Sequence, residues 1–219
     1  MDNKRLVIAI DGPAGAGKST IAKKVADILG IEYIDTGAMY RAFTLKVLRS
    51  NIDINNVEQI LKLLESTNIE FKNRHIYLDG TRIDEEIRDN IVSNNVSNIA
   101  KIKEVREKMV EIQQQLAKAN NVVMDGRDIG TVVLPDANYK FFVTASVEER
   151  AMRRYKELKD KNVNITYEQV LEEIKKRDQI DSNREVAPLR KSPDAYIIDT
   201  TNQTVDESVQ EVISIIEGR

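Results

Sequence analysis

Cysteine is absent from this chain of 219 residues, and histidine occurs only once. Without cysteine the protein has no disulfide framework, no thiolate zinc site and no cysteine nucleophile. The single histidine, His75, lies in a β-like segment beside Arg74, where a surface position is favoured over a catalytic one. A Ser-His-Asp arrangement is missing too, so we expect chemistry that depends on neither histidine nor thiol groups.

Long hydrophobic runs and a strong excess of one charge are missing as well. The apolar run from Leu6 to Ile10 is far too short for a signal peptide or a membrane span, and no other stretch reaches about eighteen apolar residues. The formal net charge is -3 at pH 7, whereas nucleic-acid-binding domains usually carry a basic surface. We therefore expect a cytoplasmic protein with no membrane or nucleic-acid partner.

What the chain does contain is an alternation of short apolar runs with longer amphipathic stretches. Hydrophobic residues make up 41% of the chain, enough to form the core of one α/β domain of this length. The strand candidates are Leu6–Ile10, Glu32–Ile34, Val122–Met124, Lys140–Thr144 and Tyr196–Ile198. An amphipathic helix is predicted between the first and the second strand candidate. The pattern predicts a three-layer α/β fold with a central five-stranded parallel sheet.

Asp35, Asp125 and Asp199 each directly follow one of these strand candidates. In parallel sheets, ligands bind beyond the carboxyl ends of the strands. We therefore expect Asp35 and Asp125 to point toward a ligand site, although a purely local structural role remains open for both.

The region from about Ile52 to Ile99 departs from this alternation. Ile69–Phe71 and Ile76–Leu78 are β-like, and the pair Asp79-Gly80 is typical of a tight turn. We expect a small antiparallel insert in the α/β core here.

A phosphate-binding loop follows the first strand candidate. The segment reads Gly-Pro-Ala-Gly-Ala-Gly-Lys-Ser and matches G-x-x-x-x-G-K-[ST] without a mismatch. Its glycines let successive backbone N–H groups face an anion, and the helix that follows adds its positive end. Lys18 would reach the β- and γ-phosphates, and the Ser19 hydroxyl would ligate Mg²⁺. The residues expected to bind ATP are Gly12, Pro13, Ala14, Gly15, Ala16, Gly17, Lys18, Ser19 and Thr20.

Such a loop occurs in GTPases and motors as well as in kinases. A GTPase would carry an Asn-Lys-x-Asp guanine motif, but the pair Asn3-Lys4 precedes Arg5 and lacks the aspartate. A nucleotide-binding regulator with little turnover is therefore the weaker hypothesis.

The positions of the arginines indicate which chemical group accepts the phosphoryl group. An alcohol acceptor needs a carboxylate to take its proton. A phosphate acceptor is already largely dianionic, with a second pKa near ~6, and needs only positive charge and positioning. Arg41 and Arg127 follow strand candidates, and further arginines lie in a long, basic, helical stretch over Arg150–Lys191. This stretch is either an ordinary solvated face or a source of arginines that reach the transferring phosphoryl group.

Several longer stretches resemble the bacterial cytidylate kinase family. They are IDGPAGAGKST (Ile10–Thr20), DTGAMYR (Asp35–Arg41), VREK (Val105–Lys108), MDGRDIGTVVLPDA (Met124–Ala137), EERAMRR (Glu148–Arg154) and IKKRDQIDSNREVAPL (Ile174–Leu189). The resemblance covers nearly the whole chain. It implies a single domain with a core (about 1–50, 100–147 and 190–219), a CMP-binding insert (about 51–99) and a helical lid (about 148–189). It also implies the reaction ATP + CMP ⇌ ADP + CDP with Mg²⁺, and dCMP as a second acceptor.

The resemblance further implies roles for individual residues. Those implied to bind CMP are Arg41 and Arg127 at its phosphate, Arg106, Asp128 and Ser97 at the cytosine, Arg177 and Asp181 at the ribose, and Thr36 through its hydroxyl. Those implied to act on the transferring phosphoryl group are Lys18, Arg150, Arg153, Arg154 and Arg184. An arginine can donate to O2 and N3 of cytosine, and a carboxylate can accept from its N4 amine.

Plain structural roles remain open for three of these residues. Asp128 could cap a turn, Arg106 could lie on a solvated helix face, and Asp181 could pair with Arg177 or Arg184. A UMP/CMP kinase or an adenylate kinase is the alternative within the same reaction class. We expect ATP and CMP or dCMP as the only partners, and a monomer.

Overall fold

The structure is a computed structural model that describes residues 5–72 and 74–218. It divides into two compact units, of which the first comprises the described residues up to Tyr33 and from Asn120 onward. The second unit comprises Ile34–Ala119. The predicted division into core, insert and lid follows other boundaries and stays a prediction.

Strands and helices alternate along much of the chain. The strands are β1 (Val7–Asp11), β2 (Glu32–Asp35), β3 (Ile69–Lys72), β4 (His75–Leu78), β5 (Thr81–Arg82), β6 (Val122–Gly126), β7 (Tyr139–Thr144) and β8 (Tyr196–Asp199). The helices are α1 (Lys18–Leu29), α2 (Thr36–Arg49), α3 (Val57–Glu65), α4 (Asn90–Ala100), α5 (Lys103–Ala119), α6 (Val147–Asp160), α7 (Tyr167–Asn183) and α8 (Val205–Ile216). Within residues 5–72 and 74–218, none of the helices has the length and hydrophobicity needed to cross a bilayer.

A five-stranded parallel sheet in the order β2-β6-β1-β7-β8 confirms the predicted fold class. All five strand candidates form strands of this sheet. The central strands β1 and β6 are almost fully buried, as strands covered on both faces are, whereas Tyr196 and Ile197 of the edge strand β8 are exposed. In the register of β1 and β6, Ile10 lies beside Asp125 and Asp11 beside Gly126. The carboxyl ends of these two central strands therefore bring two aspartates to the same edge.

Helices α1 and α8 pack on this sheet and close the core of the first unit. Helix α1 forms as predicted. Gly30 directly follows its last residue, has a left-handed φ of 64°, and donates its N–H to the Ala26 carbonyl oxygen. The core of this unit consists of buried aliphatic and aromatic side chains, among them Ile8, Ile10, Ile21, Val25, Val123, Phe141, Val143, Ile198, Val209 and Val212.

The long basic stretch is less helical than expected. Helix α6 ends at Asp160, and α7 begins only at Tyr167, with Thr166 forming a capping box. Beyond Asn183 the chain is not helical up to Lys191. Pro188 prevents the helix from continuing through this segment, because it disfavours helical geometry at Ala187 and lacks an N–H. A small core of Ala151, Leu158, Val170 and Ile174 holds the two helices together.

The second unit contains the predicted antiparallel insert. Strands β3, β4 and β5 form a three-stranded sheet, and the β4–β5 connection is Asp79-Gly80. Both residues have positive φ angles, 48° and 81°, as a two-residue hairpin turn requires. Helices α2, α4 and α5 contribute to a separate core that includes Met39, Phe43, Val47, Ile60, Ile76, Ile83, Ile87, Val92, Ile99, Val105 and Met109.

Candidate active site

The phosphate loop joins β1 to α1 and has the backbone that anion binding needs. Gly12 has a φ of 148° and lies so close to the Val143 carbonyl of β7 that a Cβ would clash. Gly17 is the N-cap of α1 with a φ of 87°, and no side chain caps the first turn of this helix. The N–H groups of that turn are therefore available to a phosphate.

Lys18 is buried in the first turn of α1, with only 5% of its surface exposed. Its Nζ donates to the Pro13 carbonyl oxygen at 2.7 Å and thereby folds back over the loop. Burial, followed by the charge of Arg127, holds the pKa of Lys18 well below its ordinary value, whereas Asp125 opposes this shift. A bound phosphate would favour the protonated ammonium group.

Ser19 and Asp125 form the oxygen-rich side of the loop. The Ser19 hydroxyl donates to Asp125 Oδ2 at 2.8 Å, and the Tyr33 hydroxyl donates to Oδ1 at 2.9 Å. The part of the chain that the structure describes contains no cluster of three acidic or histidine side chains that could bind a metal by itself. A hydroxyl and one carboxylate do fit Mg²⁺, which keeps most of its waters and takes its other ligands from substrate phosphates.

A second buried aspartate lies at the end of β1. Asp11 accepts a hydrogen bond from the Ile129 N–H at 2.7 Å and another from the Gly130 N–H at 2.8 Å. Burial raises the pKa of Asp11 to about 7, although the two amides pull it down. Asp11 thus holds the beginning of the segment that follows Asp128.

Charged pairs surround the carboxyl end of β6. Arg127 donates through Nε to Asp181 Oδ2 at 2.8 Å, and the Asp181 side chain is only 5% exposed. Burial alone would raise the pKa of Asp181, but Arg127 and Arg177 hold it below its ordinary value. Arg184 lies 3.4 Å from Asp128 Oδ1, and both side chains are nearly buried. Asp181 therefore pairs with Arg127, which directly follows β6, and the alternative of a pair with Arg177 or Arg184 stays a prediction.

Helix α6 contributes Arg150, which lies against the phosphate loop. Its NH1 donates to the Ala14 carbonyl oxygen at 3.1 Å, its Nε donates to Ala145 at 3.0 Å, and its charge is balanced by Asp178 at 2.7 Å. Gly15 lies beside the backbone of Arg150, so a Cβ at Gly15 would come within 3.2 Å of it. Arg150 therefore supports the loop from outside.

The two following arginines of α6 are less buried. Arg153 donates to the Glu149 carboxylate at 2.9 Å and to the hydroxyl and the carbonyl oxygen of Thr200 at 3.0 and 2.6 Å. Arg154 pairs with Glu157 at 2.8 Å. Both can exchange these partners for an anion at modest cost, because exposed ion pairs contribute little.

In the second unit, the charges at the beginning of α2 are organised by Asp35. This residue is the N-cap of α2 and accepts from the Ala38 N–H at 2.9 Å. Its other oxygen accepts from Arg41 NH2 at 2.8 Å, which holds the guanidinium beside the helix start. The local structural role that was open for Asp35 is therefore real. Thr36 is the first residue of α2 and is buried.

Arg106 is almost fully buried in α5, with 2% of its surface exposed. Its NH1 donates to the Ala100 carbonyl oxygen at 3.1 Å, and its guanidinium lies over the Tyr40 ring, 5.5 Å from the ring centroid. The alternative of a solvated helix face for Arg106 is therefore wrong. Ser97 of α4 is also buried. Burying a guanidinium is costly, so a functional or packing reason for Arg106 is required.

Known proteins resemble the chain over almost all of its length. A family model described as cytidylate kinase matches residues 8–218. The cytidylate kinase of Clostridioides difficile (strain 630) is 61% identical over 211 residues, which cover 96% of this chain and 98% of that relative. The cytidylate kinase of Caldanaerobacter subterraneus subsp. tengcongensis is 56% identical over 216 residues, or 99% and 96% of the two chains.

The chain belongs to the cytidylate kinase family.

Solved structures agree with the fold of this cytidylate kinase family member but are distant in sequence. An uncharacterized protein from Eubacterium ventriosum has a TM-score of 0.54 at 15% identity, over 99% of this chain and 100% of that one. A shikimate kinase from Bacteroides thetaiotaomicron has a TM-score of 0.50 at 13% identity, over 97% and 98%. At such identities the likeness concerns the fold alone.

Within the first unit of the cytidylate kinase fold, several predicted site residues lie close to the phosphate loop or pair with one another. Arg150 contacts the loop, and Lys18 lies within electrostatic reach of Arg127 and Arg177. Arg41, Ser97 and Arg106 lie in the second unit. Thr20 is exposed in the first turn of α1.

Sequence reasoning missed two residues of this region. Asp11 was passed over as the end of an apolar strand, although a lone carboxylate before a phosphate loop is a signal for a buried polar contact. Asp178 was passed over beside Arg177, and only the fold shows that it balances the charge of Arg150.

Proposed function

We propose that the protein transfers the γ-phosphoryl group of ATP to CMP and to dCMP. The observation that carries this proposal is its 61% identity, over 96% of the chain, to a cytidylate kinase. The complete phosphate loop, with its uncapped helix start and buried lysine, supports ATP as the donor.

On the donor side, the backbone N–H groups of the loop and Lys18 bind the β- and γ-phosphates. Ser19, with Asp125 beside it, would hold Mg²⁺ together with the phosphate oxygens. When bound, this ion neutralises charge that builds up on the β- and γ-phosphates. The hydrogen bond from Ser19 to Asp125 supports this assignment, because it already orients the hydroxyl oxygen.

On the acceptor side, an oxygen of the CMP phosphate attacks the γ-phosphorus atom in line with the leaving oxygen. A new P–O bond forms as the bond between the β-γ bridging oxygen and the γ-phosphorus breaks, and ADP leaves with that electron pair. Since the attacking phosphate is largely dianionic, no side chain has to accept a proton. This agrees with a chain that offers arginines but only one histidine.

Individual arginines and aspartates are assigned to CMP as follows. Arg41 and Arg127 bind the acceptor phosphate. Asp128 accepts from the cytosine N4 amine, and Arg106 donates to the base. The burial of Arg106 and its fixed position over Tyr40 support a recognition role, because a rigid guanidinium discriminates better than a mobile one. Ser97 and Thr36 offer hydroxyl groups.

The remaining assignments concern the ribose and the transferring phosphoryl group. Arg177 and Asp181 bind the ribose of CMP, and Arg153, Arg154 and Arg184 supply positive charge to the transferring group. Arg150 acts on the same group or on the loop, and its bond to the Ala14 carbonyl supports the second role.

Location and assembly are part of the same proposal. We expect a cytoplasmic monomer, and light scattering on the purified protein would test the assembly.

The test is an ADP-release assay with Mg-ATP and CMP, dCMP, UMP, AMP or GMP in parallel. The proposal requires a strong preference for CMP and dCMP. Preference for another monophosphate would keep the phosphate-loop mechanism and overturn the base assignments. ATP binding without turnover on any monophosphate would instead favour a regulator.

A further inference from the structure

The segment after Asp128 is a single π-type turn with an unusual cap. The turn spans Ile129–Val133, and it is closed by bonds from Val133 N–H to the Asp128 carbonyl at 3.2 Å and from Leu134 N–H to the Ile129 carbonyl at 2.7 Å. A one-turn π-helix is rare and is found mostly at functional sites. As in any helical turn, its first N–H groups have no partner inside the turn.

Asp128 lies at the N-cap position of this turn, but its side chain does not cap the turn. An aspartate at an N-cap normally accepts from the second or third N–H of its helix. Here the Asp128 side chain makes no such bond. The alternative that Asp128 simply caps a turn is therefore wrong.

The capping role is taken by Asp11, from a different strand. One oxygen of Asp11 accepts from the Ile129 N–H at 2.7 Å, and the other accepts from the Gly130 N–H at 2.8 Å. The Gly130 N–H is the second of the turn, the group that an N-cap aspartate commonly uses. Asp11 therefore occupies the donor that an aspartate at the N-cap position would use, while the Asp128 carboxylate lies 3.4 Å from Arg184.

The surroundings of Asp11 hold its carboxylate in position to accept from the two N–H groups of the turn. Asp11 is 4% exposed at the end of a central strand, so its carboxylate cannot move far. A Cβ on Gly130 would lie 3.4 Å from Asp11 Oδ2 and 3.2 Å from Cδ of Lys140, so the Gly130 backbone lies close to the Asp11 carboxylate. The Lys140 ammonium group itself pairs with Asp194 at 2.8 Å. Two amide donors hold the Asp11 carboxylate in place.

We propose that Asp11 is a specificity-positioning residue, which caps the turn after Asp128 so that the Asp128 carboxylate is kept for the nucleobase. The inference rests on the proposed function, because it assigns Asp11 to the CMP preference of that reaction. Asp11 acts through Asp128 and touches no substrate. Without Asp11, the vacated Gly130 N–H would attract the Asp128 carboxylate, which would then turn away from the base.

The decisive variant is Asp11→Asn, which keeps the shape of the side chain. Its amide oxygen can accept one N–H, but its NH₂ group faces the other N–H as a second donor. We expect the ratio of kcat/KM for CMP over UMP to fall about tenfold, within the range for losing one good base contact. The KM for ATP should change less than about twofold. A rise in the KM for ATP with an unchanged CMP/UMP ratio would overturn the inference, since Asp11 would then act only on the adjacent phosphate loop.

A double-mutant cycle separates positioning from a general loss of structure. In the Asp128→Ala background the base-reading carboxylate is already gone, so adding Asp11→Asn should change the CMP/UMP ratio less than about twofold. Equal and additive effects in both backgrounds would overturn the inference. If Asp11→Asn does not fold, Asp11→Ser provides the same test. Its shorter side chain carries a single oxygen and cannot accept from both the Ile129 and the Gly130 N–H, so it should lower the same ratio.

The matched control is Asn138→Ala, which removes the side chain that accepts from the Val7 N–H at 2.7 Å at the opposite end of β1. It weakens the same strand without touching the turn, so the CMP/UMP ratio should stay unchanged. A lowered ratio in this control would overturn the inference.

The CMP/UMP ratio of the wild type, measured in the same experiment, distinguishes a failure of the proposed function from a failure of this inference. No CMP preference in the wild type would overturn the proposed function and this inference with it, whereas a preference that Asp11→Asn leaves intact would overturn the inference alone.

Discussion

The buried carboxylate of Asp11 should make stability depend on pH in an unusual direction. Burial raises its pKa from 3.8 to about 7, and Asp128 adds to this, whereas the Gly130 and Ile129 amides and Lys18 oppose it. Between these two pKa values the folded protein keeps a proton that the unfolded chain has released. The contribution of Asp11 to stability is therefore complete below pH 3.8 and is lost as the pH rises through about 7.

The magnitude follows from the size of the shift. Each unit of pKa difference corresponds to about 1.4 kcal/mol. Between about pH 5 and pH 8 the contribution of Asp11 should fall by roughly 3 kcal/mol, because over about two of these pH units the folded carboxyl binds a proton that the unfolded chain has released.

Urea unfolding of the wild type and Asp11→Asn measures this contribution. The asparagine does not titrate, so the difference between the two free energies of unfolding removes the effect of other groups. The free energy of unfolding of the wild type minus that of Asp11→Asn should fall as the pH rises. A difference that is constant, or that increases with pH, would refute the reasoning, because it would show that the two amides hold Asp11 fully ionised.

Three further substitutions test the first unit. Lys18→Met should lower kcat about 10²–10³-fold, as expected for losing one preorganised donor to the transferring group. Asp125→Asn should raise the Mg²⁺ concentration needed for half-maximal rate, because Ser19 loses a full carboxylate partner. Asp181→Ala leaves the guanidinium of Arg127 unpaired and should cost about 3 kcal/mol in the free energy of unfolding.

Each of these expectations has a contrary outcome. A Lys18 variant with a normal kcat would remove the lysine from the phosphoryl-transfer step. An unchanged Mg²⁺ dependence in the Asp125 variant would place the ion elsewhere. For Asp181, the control is Glu157→Ala, which breaks the half-exposed pair with Arg154 and should cost less than about 1 kcal/mol. Equal losses in the two variants would contradict the account of the buried pair.

The α/β architecture was predictable because its signals are local. Strand β1 and strand β6 are continuous apolar runs, as strands buried on both faces must be. The Asp79-Gly80 turn was predictable for the same reason, since a two-residue hairpin requires positive φ angles at adjacent positions. The end of helix α7 at Asn183 was missed because the basic pattern continues beyond it.

The contacts around the phosphate loop were not predictable, because they join residues far apart in the chain. Asp11 and Ile129 are 118 positions apart, and Arg150 and Ala14 are 136 positions apart. No local pattern marks such a pair before the sheet is assembled. Arg106 illustrates the same point, since its charged neighbours indicate a solvated face while the folded unit buries it over an aromatic ring.

The central claim is phosphoryl transfer from ATP to CMP, and a competition experiment tests it most directly. Equal concentrations of CMP, UMP and AMP are mixed with Mg-ATP and the protein, and the nucleoside diphosphates are separated by chromatography at early times. The ratio of initial rates then equals the ratio of kcat/KM values. The account predicts that CDP accumulates well before UDP, and that ADP forms only in step with these products. Equal rates for CDP and UDP, or ADP formed in excess of the other diphosphates, would contradict it.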